Sequence, residues 1–112
     1  MIVRKPSILI YTCHADEDLM REICAGIEEE GILFELTEKP GSSLDDLAFD
    51  AAEESMLGSG IGVAGKRAAM QMRPVPRGKN VYELNHPSFE QCRCLGANSA
   101  RAVKKLPFKE MY

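Results

Sequence analysis

Three groups of residues in this chain could do chemistry. Gly60-Ile61-Gly62-Val63-Ala64-Gly65-Lys66 satisfies the GxGxxG spacing and, up to its last position, the P-loop pattern. That chemistry would be phosphate binding, with glycines letting backbone N–H groups close on an anion at a helix N-terminus. A P-loop also needs a Ser or Thr hydroxyl after the lysine, but Arg67 stands there and Pro74 cuts short any following helix. A dinucleotide fingerprint needs a complete strand before its first glycine, whereas the upstream residues read as helix. The glycines therefore read as places where a strand packs closely or turns, with nucleotide binding the lesser alternative. The second group is Cys13-His14 with Cys92-Arg93-Cys94. Thiolate and imidazole suit zinc, and a Cys–His couple suits nucleophilic catalysis. A CxC pair on a helix sends its thiols to different faces, however, and the spacing sets neither His14 nor His86 into such a couple. These are read as structural cysteines, and no catalytic residue is assigned. The third group, Glu28-Glu29-Glu30, crowds three anions at the end of a helix, where the macrodipole is itself negative. Each such placement costs about 0.3–1 kcal/mol when exposed. A divalent cation, which prefers carboxylate oxygen, or a basic partner surface would offset that cost, and a solvated helix end is the alternative.

The elements that must position these residues follow from apolar spacing. Ser7–Tyr11 is a run of β-branched and large apolar residues after Lys5-Pro6, and reads as a buried strand in the middle of a sheet. From Asp16 to Glu30, Leu19, Ile23 and Ile27, joined by Met20 and Cys24, fall at helical spacing, with Gly31 as the stop. Ile32–Leu36 reads as a second strand, closed by Lys39-Pro40-Gly41. Ser43 then opens a second helix whose expected buried face is Leu44, Leu47, Ala48, Ala51 and Met56. Ile61–Val63, Ala68–Met72 and Asn80–Leu84 are further strand candidates. Ser88 and Gln91 offer the cap and its reciprocal partner for a last helix to about Lys105, with Phe89, Cys92, Gly96, Ser99, Ala100 and Val103 as its buried face. Strands alternating with amphipathic helices imply one layered α/β domain over residues 1–112 with a mostly parallel central sheet.

Composition sets outer limits. The chain has 112 residues, 45% hydrophobic and 28% charged, which is globular rather than disordered or membrane-spanning. A net charge of −3 argues against nucleic acid or anionic lipid as partner, although Arg101–Lys109 is locally basic. Arg4 and Lys5 precede an apolar run too short for a signal-peptide core, so the expectation is a cytoplasmic protein with reduced thiols.

Two stretches together resemble a known family. Gly26-Ile27-Glu28-Glu29-Glu30-Gly31-Ile32 after a first strand, and Leu95-Gly96-Ala97-Asn98-Ser99-Ala100-Arg101-Ala102-Val103-Lys104-Lys105-Leu106-Pro107-Phe108, resemble the small subunit of the diol and glycerol dehydratase reactivating factors. Gly60–Val63 and the chain length fit as well. The pattern is shared with the medium subunit of the dehydratases themselves. The resemblance implies a medium-subunit-like α/β fold and a non-enzymatic role in a two-component chaperone. The large partner subunit would carry an actin- and Hsp70-like ATPase. The assembly would release damaged cobalamin from an inactivated adenosylcobalamin-dependent dehydratase by subunit exchange, so the dehydratase is an indirect partner. The resemblance also implies that a glutamate ending the first helix helps hold Mg2+ or Ca2+ at the contact with the large subunit. By position this is Glu29, with Glu28 and Glu30 as alternatives. Association with a bacterial microcompartment is one option for its location. The remaining alternative is a structural medium-subunit-like component of a dehydratase complex. Thr12–Asp16 and Arg73–Lys79 match no family pattern with an assigned role.

Overall fold

The computed structural model describes residues 5–111; Arg4 of the basic lead and the outer ends of the 1–112 span lie outside the described residues. Its elements run β1 (Ile8–Cys13), α1 (Glu17–Glu29), β2 (Phe34–Glu38), α2 (Leu44–Glu54), β3 (Ser59–Ala64), β4 (Arg67–Met72), β5 (Tyr82–Asn85) and α3 (Phe89–Lys104). They form one five-stranded sheet in the order β2-β1-β3-β4-β5. β1 is thus an interior strand, as its apolar run implies.

The expected α/β architecture is present, but the mostly parallel sheet is corrected to a mixed one. β1 pairs in parallel with β2 and β3, because a helix returns the chain across the sheet before each of those two strands. β3–β4 and β4–β5 are antiparallel. The reason is local: Gly65 and Lys66 alone join β3 to β4, with Gly65 in the left-handed region at φ 56°, and so short a link can only reverse the chain.

α1 and α3 lie on one face of the sheet and α2 on the other. Ile8, Ile10, Ile61, Val63, Ala68 and Met70 meet Leu19, Ile23 and Ile27 of α1 and Cys92, Leu95 and Ala100 of α3 in the main core. Leu9 and Tyr11 point the opposite way, toward Leu47 and Ala51 of α2, as the period-two alternation of a strand requires. Met56 is 56% exposed, because α2 ends at Glu54 and Ser55 turns the chain away with its hydroxyl on the Ser7 carbonyl (2.7 Å). Phe89 is 55% exposed, because it is the first residue of α3 and sits ahead of the turn that meets the sheet. Both were expected on buried faces; helical spacing was carried two positions past the end of α2 and onto the first residue of α3.

Caps set the helix starts. The Asp16 carboxylate accepts from the N–H groups of Asp18 and Leu19 (3.0 and 3.1 Å). Ser88 and Gln91 form the reciprocal pair expected of them, with Gln91 N–H donating to Ser88 Oγ and Ser88 N–H to Gln91 Oε1.

Candidate functional site

The positions of the acidic residues on α1 depend on how closely α1 and α3 approach. Gly26 and Gly96 face each other across the crossing. A Cβ at Gly26 would sit 2.0 Å from the Arg93 carbonyl oxygen, and one at Gly96 would sit 2.0 Å from the Ile23 carbonyl oxygen. Only glycine lets the two backbones touch in this way. The helices run in the same direction, since successive points along α1 (Glu22, Gly26, Glu30) meet successive points along α3 (Arg93, Ala97, Arg101).

Same-direction helices bring two negative C-termini together, and the side chains there answer it. Glu30 receives Arg101 Nε at 3.1 Å and Lys104 Nζ at 2.9 Å, while Lys104 Nζ also donates to the Glu30 carbonyl oxygen at 2.8 Å. Lys104 therefore caps α1 rather than its own helix. The Glu30 carboxyl, whose side chain is only 11% exposed, is held below the ordinary carboxylate range. The hydrogen bond from Lys104 is the largest cause, supported by Arg101 and opposed by burial.

The three glutamates thus have three different situations. Glu30 is committed to an internal ion-pair network. Glu29, 55% exposed, has one loose partner, Arg93 Nε at 3.5 Å, and Arg93 is shared with Glu22 at 2.6 Å. Glu28 is exposed and, among the described residues, takes part in no ion pair. Among the described residues no three His, Cys, Asp or Glu side chains cluster as a cation site. Glu29 and Glu28 fit the role of oxygen donors offered outward, whereas a hard cation takes about six or more oxygen ligands. Such an ion would need most of its shell from elsewhere. Glu30 fits that role poorly, because both carboxylate oxygens already accept from cations.

The other residues singled out in the sequence lie away from this end. Gly60 and Gly62 sit on β3 beneath α2, where a Cβ would fall 2.3 Å from Ala52 N and 2.7 Å from Ala48 N, respectively. The helix backbone fills the space a phosphate would need, and Lys66 opens onto a hairpin rather than a helix. The close-packing reading of these glycines holds. Cys92 is buried in the core with its thiol pushed up to about 11 by burial, while Cys94 is half-buried on another side of α3. The two thiols diverge as helical geometry requires. His14 and His86 both adopt φ 50° on loops after β1 and β5. His86, Lys66, Asp16 and Phe89 help line an open cavity of about 230 Å3 at that pole.

Arg73–Lys79 has a structural role that its sequence did not announce. Arg73 Nη1 donates to the Glu53 and Ser55 carbonyls at the end of α2 (2.8 and 3.1 Å). Arg77 pairs with Asp46 and Asp50 and lies 4.3 Å over the Phe49 ring. Fully buried Gln71 holds the loop from below through the Pro76 carbonyl and Asn80. The only sequence signal was the acidic first turn of α2 facing a basic loop.

Residues 5–109 match the family model described as dehydratase medium subunit, so the chain belongs to the dehydratase medium subunit family. Within it, the chain is 35% identical over 107 residues to the diol dehydratase-reactivating factor small subunit of Klebsiella michiganensis, covering 95% of this chain and 86% of that one. It is 32% identical to the propanediol dehydratase-reactivating factor small subunit of Citrobacter freundii, covering 96% and 93%. Solved structures agree. A chain of a diol dehydratase-reactivating factor complexed with ADP and Mg2+ superposes with TM-score 0.89 at 33% identity, over 96% of this chain and 100% of that one. A glycerol dehydratase reactivase chain gives 0.91 at 26% identity, with the same coverage. Among the described residues no helix is long and apolar enough to cross a membrane.

Proposed function

We propose that this chain is the small subunit of a dehydratase-reactivating factor and works by protein contact rather than by catalysis. The observation that carries this reading is the near end-to-end similarity to reactivating-factor small subunits in both sequence and fold. The partner is a larger subunit that supplies ATP hydrolysis. The target is an inactivated adenosylcobalamin-dependent dehydratase, from which damaged cobalamin is released when subunits exchange. A medium-subunit-like shape on a detachable chain suits that exchange, since the same surface can be filled either by this chain or by the enzyme's own medium subunit. The work is done in the cytoplasm, with a bacterial microcompartment as one setting.

The acidic end of α1 is the contact we assign to the large subunit. Glu29 offers an exposed carboxylate beside the negative end of α1, held only loosely by Arg93. It would supply part of the oxygen shell of a Mg2+ or Ca2+ ion completed by the partner, with Glu28 as the alternative donor, and the ion would supply charge neutralisation across the contact. Glu30 keeps α1 and α3 in register and stays out of that shell. The test is co-expression with a candidate large subunit, followed by size-exclusion chromatography of wild type and Glu29→Ala with and without Mg2+. A complex that needs Mg2+ and weakens in Glu29→Ala is the expected result. A complex indifferent to both keeps the partner and removes the ion. No complex with any large subunit, together with stable copurification with a dehydratase, would favour a structural component of the enzyme, the reading that the medium-subunit family model independently allows.

A further inference from the structure

Glu29 already has a cation against it. The Arg93 guanidinium of α3 lies across one face of α1, with Nη2 2.6 Å from the Glu22 carboxylate and Nε 3.5 Å from that of Glu29. These two glutamates stand on the same side of the helix, two turns apart. Gly26 lies between them, and there α3 comes so close that the Arg93 carbonyl oxygen fills the space a Cβ would need. This backbone contact fixes where the Arg93 side chain starts, and its planar fork then serves both carboxylates at once. The two grips are unequal. Glu22, its side chain only 21% exposed, takes a short charge-assisted bond, whereas exposed Glu29 is held near the limit of an ion pair. Arg93 also borders an open cavity of about 230 Å3 with Glu90, Cys94, Lys109 and Glu110, which leaves the guanidinium room to turn away from Glu29 while it keeps Glu22. Among the described residues no other cation pairs with Glu29.

We propose that Arg93 guards Glu29: in the free chain its guanidinium occupies the carboxylate that a divalent cation would use, and it yields that carboxylate when the ion is bound. The inference rests on the ion reading of Glu29 given above and adds its regulation. A guanidinium and a divalent cation on one carboxylate repel each other, so each lowers the other's hold on it, and by the same factor. Glu22 keeps Arg93 after the exchange, so the half-buried member of the pair is never left without its partner. An ion completed by water alone must overcome the resident cation, while one that brings ligands from the large subunit has their binding energy to set against it. Ion uptake is thereby tied to docking. Arg93 is a positioning residue in this scheme, acting on the ion through Glu29.

The test uses the full chain and Mn2+, which takes carboxylate and water oxygen as Mg2+ does and broadens the signals of nearby amides. Proton–nitrogen correlation spectra are titrated for wild type, Arg93→Gln, Arg93→Lys, Glu29→Gln and the double variant Glu29→Gln with Arg93→Gln. The quantity read is the Mn2+ concentration that halves the signals of residues 28–31, with the acidic first turn of α2 as internal reference. Arg93→Gln should lower that concentration roughly tenfold, the order set by a unit charge against a divalent one a few ångströms away, trimmed by salt. Arg93→Lys keeps the charge but loses the fork, so it should settle on Glu22 and lower the concentration roughly threefold; it also keeps the test running if Arg93→Gln folds poorly. The double variant should gain little over Glu29→Gln, and the α2 reference should not move in any of them. If Glu29→Gln weakens the broadening while both Arg93 variants match wild type, the guard is overturned and the ion reading stands. Arg93→Lys equal to wild type with Arg93→Gln improved would reduce Arg93 to a background charge and overturn the guard as well. Broadening at residues 28–31 that ignores Glu29→Gln, or no broadening there at all, would take the ion off Glu29 and remove both readings.

Discussion

Replacing Gly26 with alanine should lower stability even though alanine is the better helix former. The new methyl would lie 2.0 Å from the Arg93 carbonyl oxygen and 2.9 Å from Ala97 N, both backbone atoms that cannot rotate away. Ordinary contact begins near 3.4 Å, so the helices must part by about 1.4 Å at the crossing. Alanine returns about 1 kcal/mol of helix propensity. Overpacking costs about 1–3 kcal/mol and more where nothing can yield, and parting the helices also loosens the Leu95, Ile23 and Ile27 packing. The net expectation is a loss of about 2 kcal/mol, read as a lower urea midpoint by far-UV circular dichroism at unchanged slope, or as a fall in Tm of roughly 8 °C. Gly96→Ala should behave alike, and the double variant should cost less than the sum, because one separation relieves both clashes. Gly31→Ala is the control: its φ of 76° strains any side chain by about 1–2 kcal/mol, but nothing lies within 4 Å of the added methyl. A Gly26→Ala midpoint at or above wild type would refute the claim that backbone contact sets this crossing.

Two further outcomes follow from the same contacts. Glu30→Gln should destabilise by about 1–3 kcal/mol near neutral pH by weakening two charge-assisted hydrogen bonds; because the folded-state Glu30 carboxyl titrates below its ordinary value, the difference from wild type should be full above the ordinary carboxylate range and shrink as pH falls through the lowered value, which urea midpoints between neutral and acid pH will show. Gln71→Leu should cost about 1–3 kcal/mol and raise amide exchange across residues 73–80 before the rest of the chain, since the buried amide holds that loop through Pro76 and Asn80.

The elements were legible wherever the period of apolar residues was uninterrupted. Leu19, Ile23 and Ile27 announced α1, and the alternation of β1 between two cores follows from its apolar run Ile8–Tyr11. Legibility failed at ends and over long separations. Met56 and Phe89 fit helical spacing but lie where the helix has stopped or has just begun. The direction of β4 hung on a two-residue link that periodicity cannot see. At the candidate site the acidic triplet was visible, but its division was not. Which glutamate is neutralised depends on Arg101 and Lys104, more than seventy residues away along the chain. The grip of Asn98 on the Lys109 backbone was equally silent, because a buried asparagine inside a small-residue seam has the same local spacing whatever it holds.

The glycine crossing also bears on how the chain folds. α1 forms early in the sequence, yet the partner that seals it, α3, follows every strand of the sheet. Ile23 and Ile27 rest on the sheet through Ile8, Ile10, Ile61 and Val63, but their burial is completed only by Cys92, Leu95 and Ala100 of α3, and the loop that must close between Glu22 and Arg93 spans 71 residues. Closing so distant a pair comes before its reward, so α1 reaches the place from which Glu29 is offered only once the chain has been completed as far as α3.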